Sequence, residues 1–246
     1  DQEVIDHAGR SALIQWVPYP SQAFARTYFP MRYAVQGKYA GRNYFKTQIL
    51  QEDLAIWILA YDWTAISIAS LVLLFIAMYC VYEVGYWCND HIAAAREAKP
   101  TLSKSHHRFA DYPIRQAYAW AVAFSILGML PILLVYPPVA WPKVYFAGLA
   151  LAWGFMLVVL DLAFRLFNRL SITKRPYVFP ILHFVKNFAP ATIIPLNALG
   201  GLLLSSQVAS QMMVYIAHRT GGQSSGFNRQ AQRAILFVVF LAAYGL

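Results

Sequence analysis

The sequence predicts an all-α, polytopic membrane helix bundle, and three observations carry that expectation. Of 246 residues, 59% are hydrophobic and only 13% charged, where an ordinary soluble domain has about a quarter charged. Apolar runs long enough to cross a hydrocarbon core recur along the chain. The 20 Lys and Arg, against 11 Asp and Glu, gather in short loops between those runs, which is the positive-inside pattern. That placement argues against nucleic acid, the partner a basic excess would otherwise suggest.

The elements follow in order. Residues 1–53 mix aromatic rings with Arg and Lys, among them Trp16, Tyr19, Phe24, Arg26, Arg32 and Lys38. Such a mixture suits the headgroup zone. Pro18, Pro20 and Pro30 argue against one continuous helix, so the segment reads as interfacial or cytoplasmic helices and loops. It shows no basic n-region with an apolar h-region, and no cleavable signal peptide is expected. Residues 54–246 form the bundle. Its first span is expected at 63–86, with an apolar lead-in from Leu54 and Asp62 at the boundary. A polar cytoplasmic loop follows at 87–115, then a second span at 116–136 and a tight turn at 137–143 rich in proline. A third span is expected at 144–164, followed by a basic cytoplasmic loop at 165–175. The fourth span, 176–204, contains Pro180, Pro190 and Pro195 and should be kinked or broken. A short or interfacial helix (205–219), a Gly/Ser linker (220–226) and a final helix from about Arg233 complete the pattern. The last apolar run, Ala234 to Leu246, is too short to span, so the bundle reads as truncated or reduced in helix number.

Both basic loops are expected to face the cytoplasm. Simple alternation would then place Arg219, Arg229 and Arg233 outside, so either residues 176–219 cross twice or that loop is an exception to the rule. Cys80 and Cys88, eight apart on one helix, would have Cα atoms about 12 Å from each other, too far for a disulfide.

The most telling residues are Glu83, Asp90 and Glu97. A step of seven returns to nearly the same helix face, so they form an acidic stripe beginning at membrane depth, with Asn89 beside it. Carboxylates near hydrocarbon need a partner or a function. A hard divalent cation such as Mg²⁺ suits several oxygen ligands on one face, with Asn89, Asp90 and Glu97 as its ligands. A solvated loop start, with Glu97 paired to Arg96 or Lys99, is the alternative. In the next basic loop, Arg169, Lys174 and Arg175 could clamp phosphate or simply anchor the loop inside. His183, Lys186 and Asn187 lie within one turn of an apolar helix. An intramembrane Lys is either functional or snorkelling to the interface. Asp161 and Arg165 have the spacing of an i,i+4 ion pair. The chain carries no GxGxxG, Walker, GxSxG or HExxH motif.

The run Tyr86-Trp87-Cys88-Asn89-Asp90, continuing to Arg96-Glu97-Ala98-Lys99-Pro100-Thr101, resembles the first Asp-rich motif of the UbiA-type intramembrane prenyltransferase superfamily, Asn-Asp-x-x-Asp-x-x-x-Asp with a basic, proline-containing tail. Asn89 and Asp90 match its first positions, Glu97 its last, and Ala93 stands where the family has Asp. Thr173 to Pro180 also resembles the stretch leading into the family's fifth helix. The second motif, Asp-x-x-x-Asp, has no counterpart, since no Asp or Glu occurs between Arg165 and Leu246. The resemblance covers about residues 60–215. It implies a UbiA-like bundle in a bacterial inner membrane, and a transferase acting on a polyprenyl (di)phosphate-type lipid. In that reading Asp90 and Glu97 are catalytic and hold Mg²⁺ with Asn89, while Arg169, Lys174, Arg175, Lys186 and His183 bind substrate. The missing motif leaves a second expectation open, that of a non-catalytic membrane subunit binding lipid or pigment within a larger complex. A transporter has only the broken fourth span with Lys186 in its favour.

Overall fold

A computed structural model describes residues 27–62, 65–97, 100, 102–103, 105–135, 143–171, 173–220 and 228–245. The expectations for Trp16, Tyr19, Phe24, the 137–142 turn and most of the 220–226 linker lie outside them. The described residues are overwhelmingly helical, and the only extended pairing among them is an isolated bridge between Tyr61 and Leu196. The chain runs α1 (Tyr33–Lys38), α2 (Phe45–Leu54), α3 (Ala55–Ala60), α4 (Ala65–Arg96), α5 (Ile114–Val135), α6 (Lys143–Arg169), α7 (Arg175–Phe188), α8 (Gly200–Arg219) and α9 (Arg229–Tyr244).

Helix α4 is the axis of the molecule. Its stretch Ile68–Arg96 is long and apolar enough to cross a membrane and is mostly enclosed by other elements. Helices α5 and α6 pack along it, and α6, α7, α8 and α9 follow in a chain of neighbours. The stretch Phe146–Arg169 of α6 meets the same length and composition test but lies mostly on the outside. Leu151, Phe155, Val158, Leu162 and Leu166 are exposed along it. Their spacing of three or four residues makes one outward apolar face. Val122, Ile126 and Leu130 of α5 and Ile235, Val238 and Val239 of α9 are exposed as well. Apolar surface this extensive needs a cover other than water.

Two expected loops are shorter than the sequence implied. The 87–115 loop gives up its first ten residues to α4, because Trp87 to Arg96 contains three consecutive alanines and no proline, and Pro100 comes only later. The 165–175 loop shrinks to a few residues, since α6 runs on to Arg169, where the Asp161–Arg165 pair (2.7 Å) supports its last turns.

The expected break in residues 176–204 falls at Pro190 and Pro195. Helix α7 ends at Phe188, a 3₁₀ turn covers Ala189–Thr192, and α8 starts at Gly200. The short connection is tied to the end of α3: Asp62 N–H donates to the Pro195 carbonyl (2.9 Å), Asn197 N–H to the Ala60 carbonyl (3.0 Å), and Tyr61 hydroxyl to the Asn187 carbonyl (2.6 Å). A Cβ on Gly200 would overlap the Ala60 carbonyl oxygen, so glycine permits this close approach. The α7–α8 hairpin returns the chain, so that Arg219 at the end of α8 lines the same cleft as Phe167 near the end of α6.

Helices α1 and α2 are wound as π-helices: Tyr39 N–H reaches the Ala34 carbonyl (3.0 Å), and Ala55 N–H reaches the Leu50 carbonyl. Such winding is rare and frequently found at functional sites.

Candidate functional site

The acidic stripe on α4 is present, and its partners are protein groups. Glu83, fully buried, accepts from Met31 N–H (3.0 Å), Ala34 N–H (2.9 Å) and the Tyr28 hydroxyl (3.2 Å). It thereby caps the start of α1, where orphan N–H groups and the positive helix end favour an anion. It also holds Met31 in a left-handed backbone conformation (φ 67°). One turn pair further, Asp90 accepts from Lys38 (2.5 Å), from the Tyr33 hydroxyl (2.8 Å) and from Asn89 (3.3 Å). Burial, and then the Asp90 carboxylate, push the Tyr33 hydroxyl well above its ordinary range, so it remains a donor. Its single proton goes to Asp90, which leaves its oxygen to accept from His106 Nδ1–H at 3.2 Å. Glu97 pairs with Arg175 (3.0 Å), whose guanidinium also lies over Phe167. The stripe is thus a seam that fastens α1 and the start of α7 to α4.

Beside this seam, α1, α2, α4, α6, α7, α8 and the first residue of α9 enclose a cleft of about 490 Å³. Its walls are aromatic: Tyr39, Tyr44, Tyr82, Tyr86, Phe164, Phe167, Phe179 and Tyr215. Tyr39 stacks on Tyr44 (centroids 4.1 Å apart), and Phe179 stacks on Tyr215 (4.0 Å). The cationic lining groups are Lys38, Arg42, Lys186, Arg219 and Arg229, with His183 and His218 beside them, and no lining residue is acidic. The lining comes from the C-terminal halves of α4, α6 and α8, from Phe179 to Lys186 along α7 and from Arg229 at the start of α9, and the cleft opens beside the exposed Arg42, His218 and Arg219.

Lys186 sits in the wall of this cleft. It is 2% exposed, bonded to the wholly buried Asp53 of α2 at 2.7 Å, and placed over the rings of Tyr79 (5.4 Å) and Tyr82 (4.7 Å). Tyr79 hydroxyl donates to the same Asp53 oxygen. Nearby, His183 Nδ1 and Gln211 Nε2 are buried against the cleft without a hydrogen-bond partner among the described residues. Such orphaned groups cost free energy unless a ligand or water meets them.

The residues expected to bind substrate therefore divide. Lys186 and His183 line the cleft. Arg169 and Lys174 are exposed outside it, and Arg175 is buried against Glu97 and Phe167. Of the expected Mg²⁺ ligands only Asn89 lines the cleft, through a side chain that also donates to Asp90. Asp90 and Glu97 sit two helical turns apart, each already engaged by a cation. Among the described residues no three His, Cys, Asp or Glu side chains gather. As arranged, these residues do not fit a divalent ion, which wants several free oxygens around one point.

Sequence reasoning missed Lys38, Arg42, Arg219 and Arg229, which come from segments far apart in the chain. It also missed Asp53. That partner was open to inference, because a buried lysine demands an acid and the chain has only 11 acids to offer. No family model, no curated protein and no solved structure matches the chain.

Proposed function

We propose that the chain is an integral membrane protein that holds a polyprenyl-phosphate-type lipid in this cleft, with the phosphate at the cationic mouth and the chain against the aromatic walls. The carrying observation is the lining itself: five Lys or Arg side chains and eight aromatic rings, without a carboxylate. Its volume falls within the range of about 300–1,000 Å³ usual for small-molecule sites. The outward apolar faces of α5, α6 and α9 support a bilayer as surroundings. The basic residues at the open end favour the cytoplasmic face.

The UbiA-type transferase and the non-catalytic lipid-holding subunit share this binding step. The cleft supports the step itself, whereas the carboxylates that the transferase reading needs for its metal are engaged by Lys38 and Arg175. The lipid-holding reading is therefore the better supported. Binding of farnesyl phosphate and of farnesol to the purified protein in detergent tests it. The phosphate should bind at least about tenfold more tightly, the equivalent of one good charged contact. Equal affinity would remove the phosphate from the reading. Turnover of a labelled prenyl diphosphate by the isolated chain would restore the transferase.

A further inference from the structure

Resting on that lipid-phosphate reading, we propose that the phosphate is gripped directly by guanidinium groups, chiefly Arg42 and Arg219, and that no divalent cation takes part.

The charge arrangement carries the argument. Of the five Lys and Arg side chains lining the cleft, three have a carboxylate: Lys38 has Asp90, Lys186 has Asp53, and Arg229 has Glu52 at 3.6 Å. The remaining two do not. Arg42 has no side-chain partner among the described residues. Among the described residues Arg219 donates only to the Tyr215 hydroxyl (3.1 Å), over whose ring it lies. Among the described residues the lining thus carries two positive charges without a carboxylate partner. A phosphate monoester carries about −1.5 to −2 at neutral pH, so it balances these two charges without help. Guanidinium groups offer the planar, two-pronged donor geometry that phosphate oxygens accept. Both side chains are exposed at the mouth, so an incoming headgroup meets them before the chain enters.

A divalent cation fits the same place poorly. It would join two unbalanced cations in a partly desolvated cleft, where like charges repel more strongly than in water. Among the described residues, the carboxylates nearest the cleft each already face a cation: Asp90 faces Lys38, Asp53 faces Lys186, Glu52 faces Arg229 and Glu97 faces Arg175.

The test is equilibrium binding of farnesyl phosphate to the full chain in detergent, once in EDTA and once in excess Mg²⁺. Affinity should agree within about twofold between the two buffers. The double variant Arg42→Gln/Arg219→Gln should lose about tenfold or more in EDTA, the equivalent of one charged hydrogen bond, while its melting temperature stays that of the parent. Arg42→Lys/Arg219→Lys, which keeps charge but not the fork, should fall between the two. Binding that appears only with Mg²⁺ overturns the metal-free grip and leaves the lipid-phosphate reading standing. Absence of binding in both buffers overturns the lipid-phosphate reading itself. Competition with inorganic phosphate and with phosphatidylglycerol micelles identifies the source of the anion. If either displaces farnesyl phosphate at equal concentration, the direct grip stands and the isoprenoid assignment falls.

Discussion

Replacing Lys186 by methionine should be among the most destabilising single changes in this chain. The side chain is 2% exposed and its partner Asp53 is wholly buried, 2.7 Å away. Without the ammonium, Asp53 keeps the Tyr79 hydroxyl on one oxygen, while its other oxygen already lacks a partner among the described residues. Removing one member of a buried ion pair costs about 3–5 kcal/mol, because the remaining charge is left without compensation. For a chain of this size each kcal/mol is worth about 2–4 °C, so Lys186→Met should lower the melting temperature in detergent by roughly 6–20 °C. Adding Asp53→Leu removes the stranded charge and should recover most of that loss, since apolar replacement of a whole buried pair is often neutral. A shift under about 2 °C for the single variant, or a double variant no better than the single, would refute the reasoning.

Three further expectations follow from the same geometry. Glu83→Gln leaves at least one of the Met31 and Ala34 N–H groups without its acceptor, at about 2–3 kcal/mol, and amide exchange across residues 31–38 should accelerate; unchanged protection there would remove Glu83 from its capping role. Gly200→Ala drives a Cβ into the Ala60 carbonyl, which as backbone cannot yield, so it should cost at least about 1–3 kcal/mol by thermal unfolding, whereas Gly201→Ala, with open space around its Cβ position, should be neutral or stabilising. Burial lowers the His106 imidazole below its ordinary value of 6.5. A depressed histidine contributes stability that is complete above 6.5 and is lost as pH falls toward the folded value, so stability should decline below about pH 6.5, and His106→Gln should flatten that decline; identical pH profiles would exclude His106 as its source.

The helical class and most element positions were legible because apolar periodicity and proline placement are local signals. The α7–α8 break shows this well: Pro190 and Pro195 mark it in the sequence, and the chain turns there. The ends of α4 and α6 were less legible, since Trp87 to Arg96 is polar enough to read as a loop although its alanines sustain the helix. The acidic stripe was visible as a spacing of seven, but its meaning was not. Carboxylates on one face can gather a metal or meet separate cations, and the placement of Lys38, the α1 N–H groups and Arg175 beside them is not written in that spacing. The cationic mouth was the least legible part. Arg42 lies far in the chain from Arg219 and Arg229, and each alone looks like an ordinary interfacial arginine.

The central claim is that a lipid chain lies between the aromatic walls of the cleft. Photocrosslinking the detergent-solubilised protein with a diazirine-tagged farnesyl phosphate, followed by peptide mapping, tests it most directly. Label should concentrate on peptides carrying Phe167, Phe179 and Tyr215 and should fall when untagged farnesyl phosphate competes. Label confined to the outward faces around Leu151 and Phe155, and indifferent to competitor, would contradict the account.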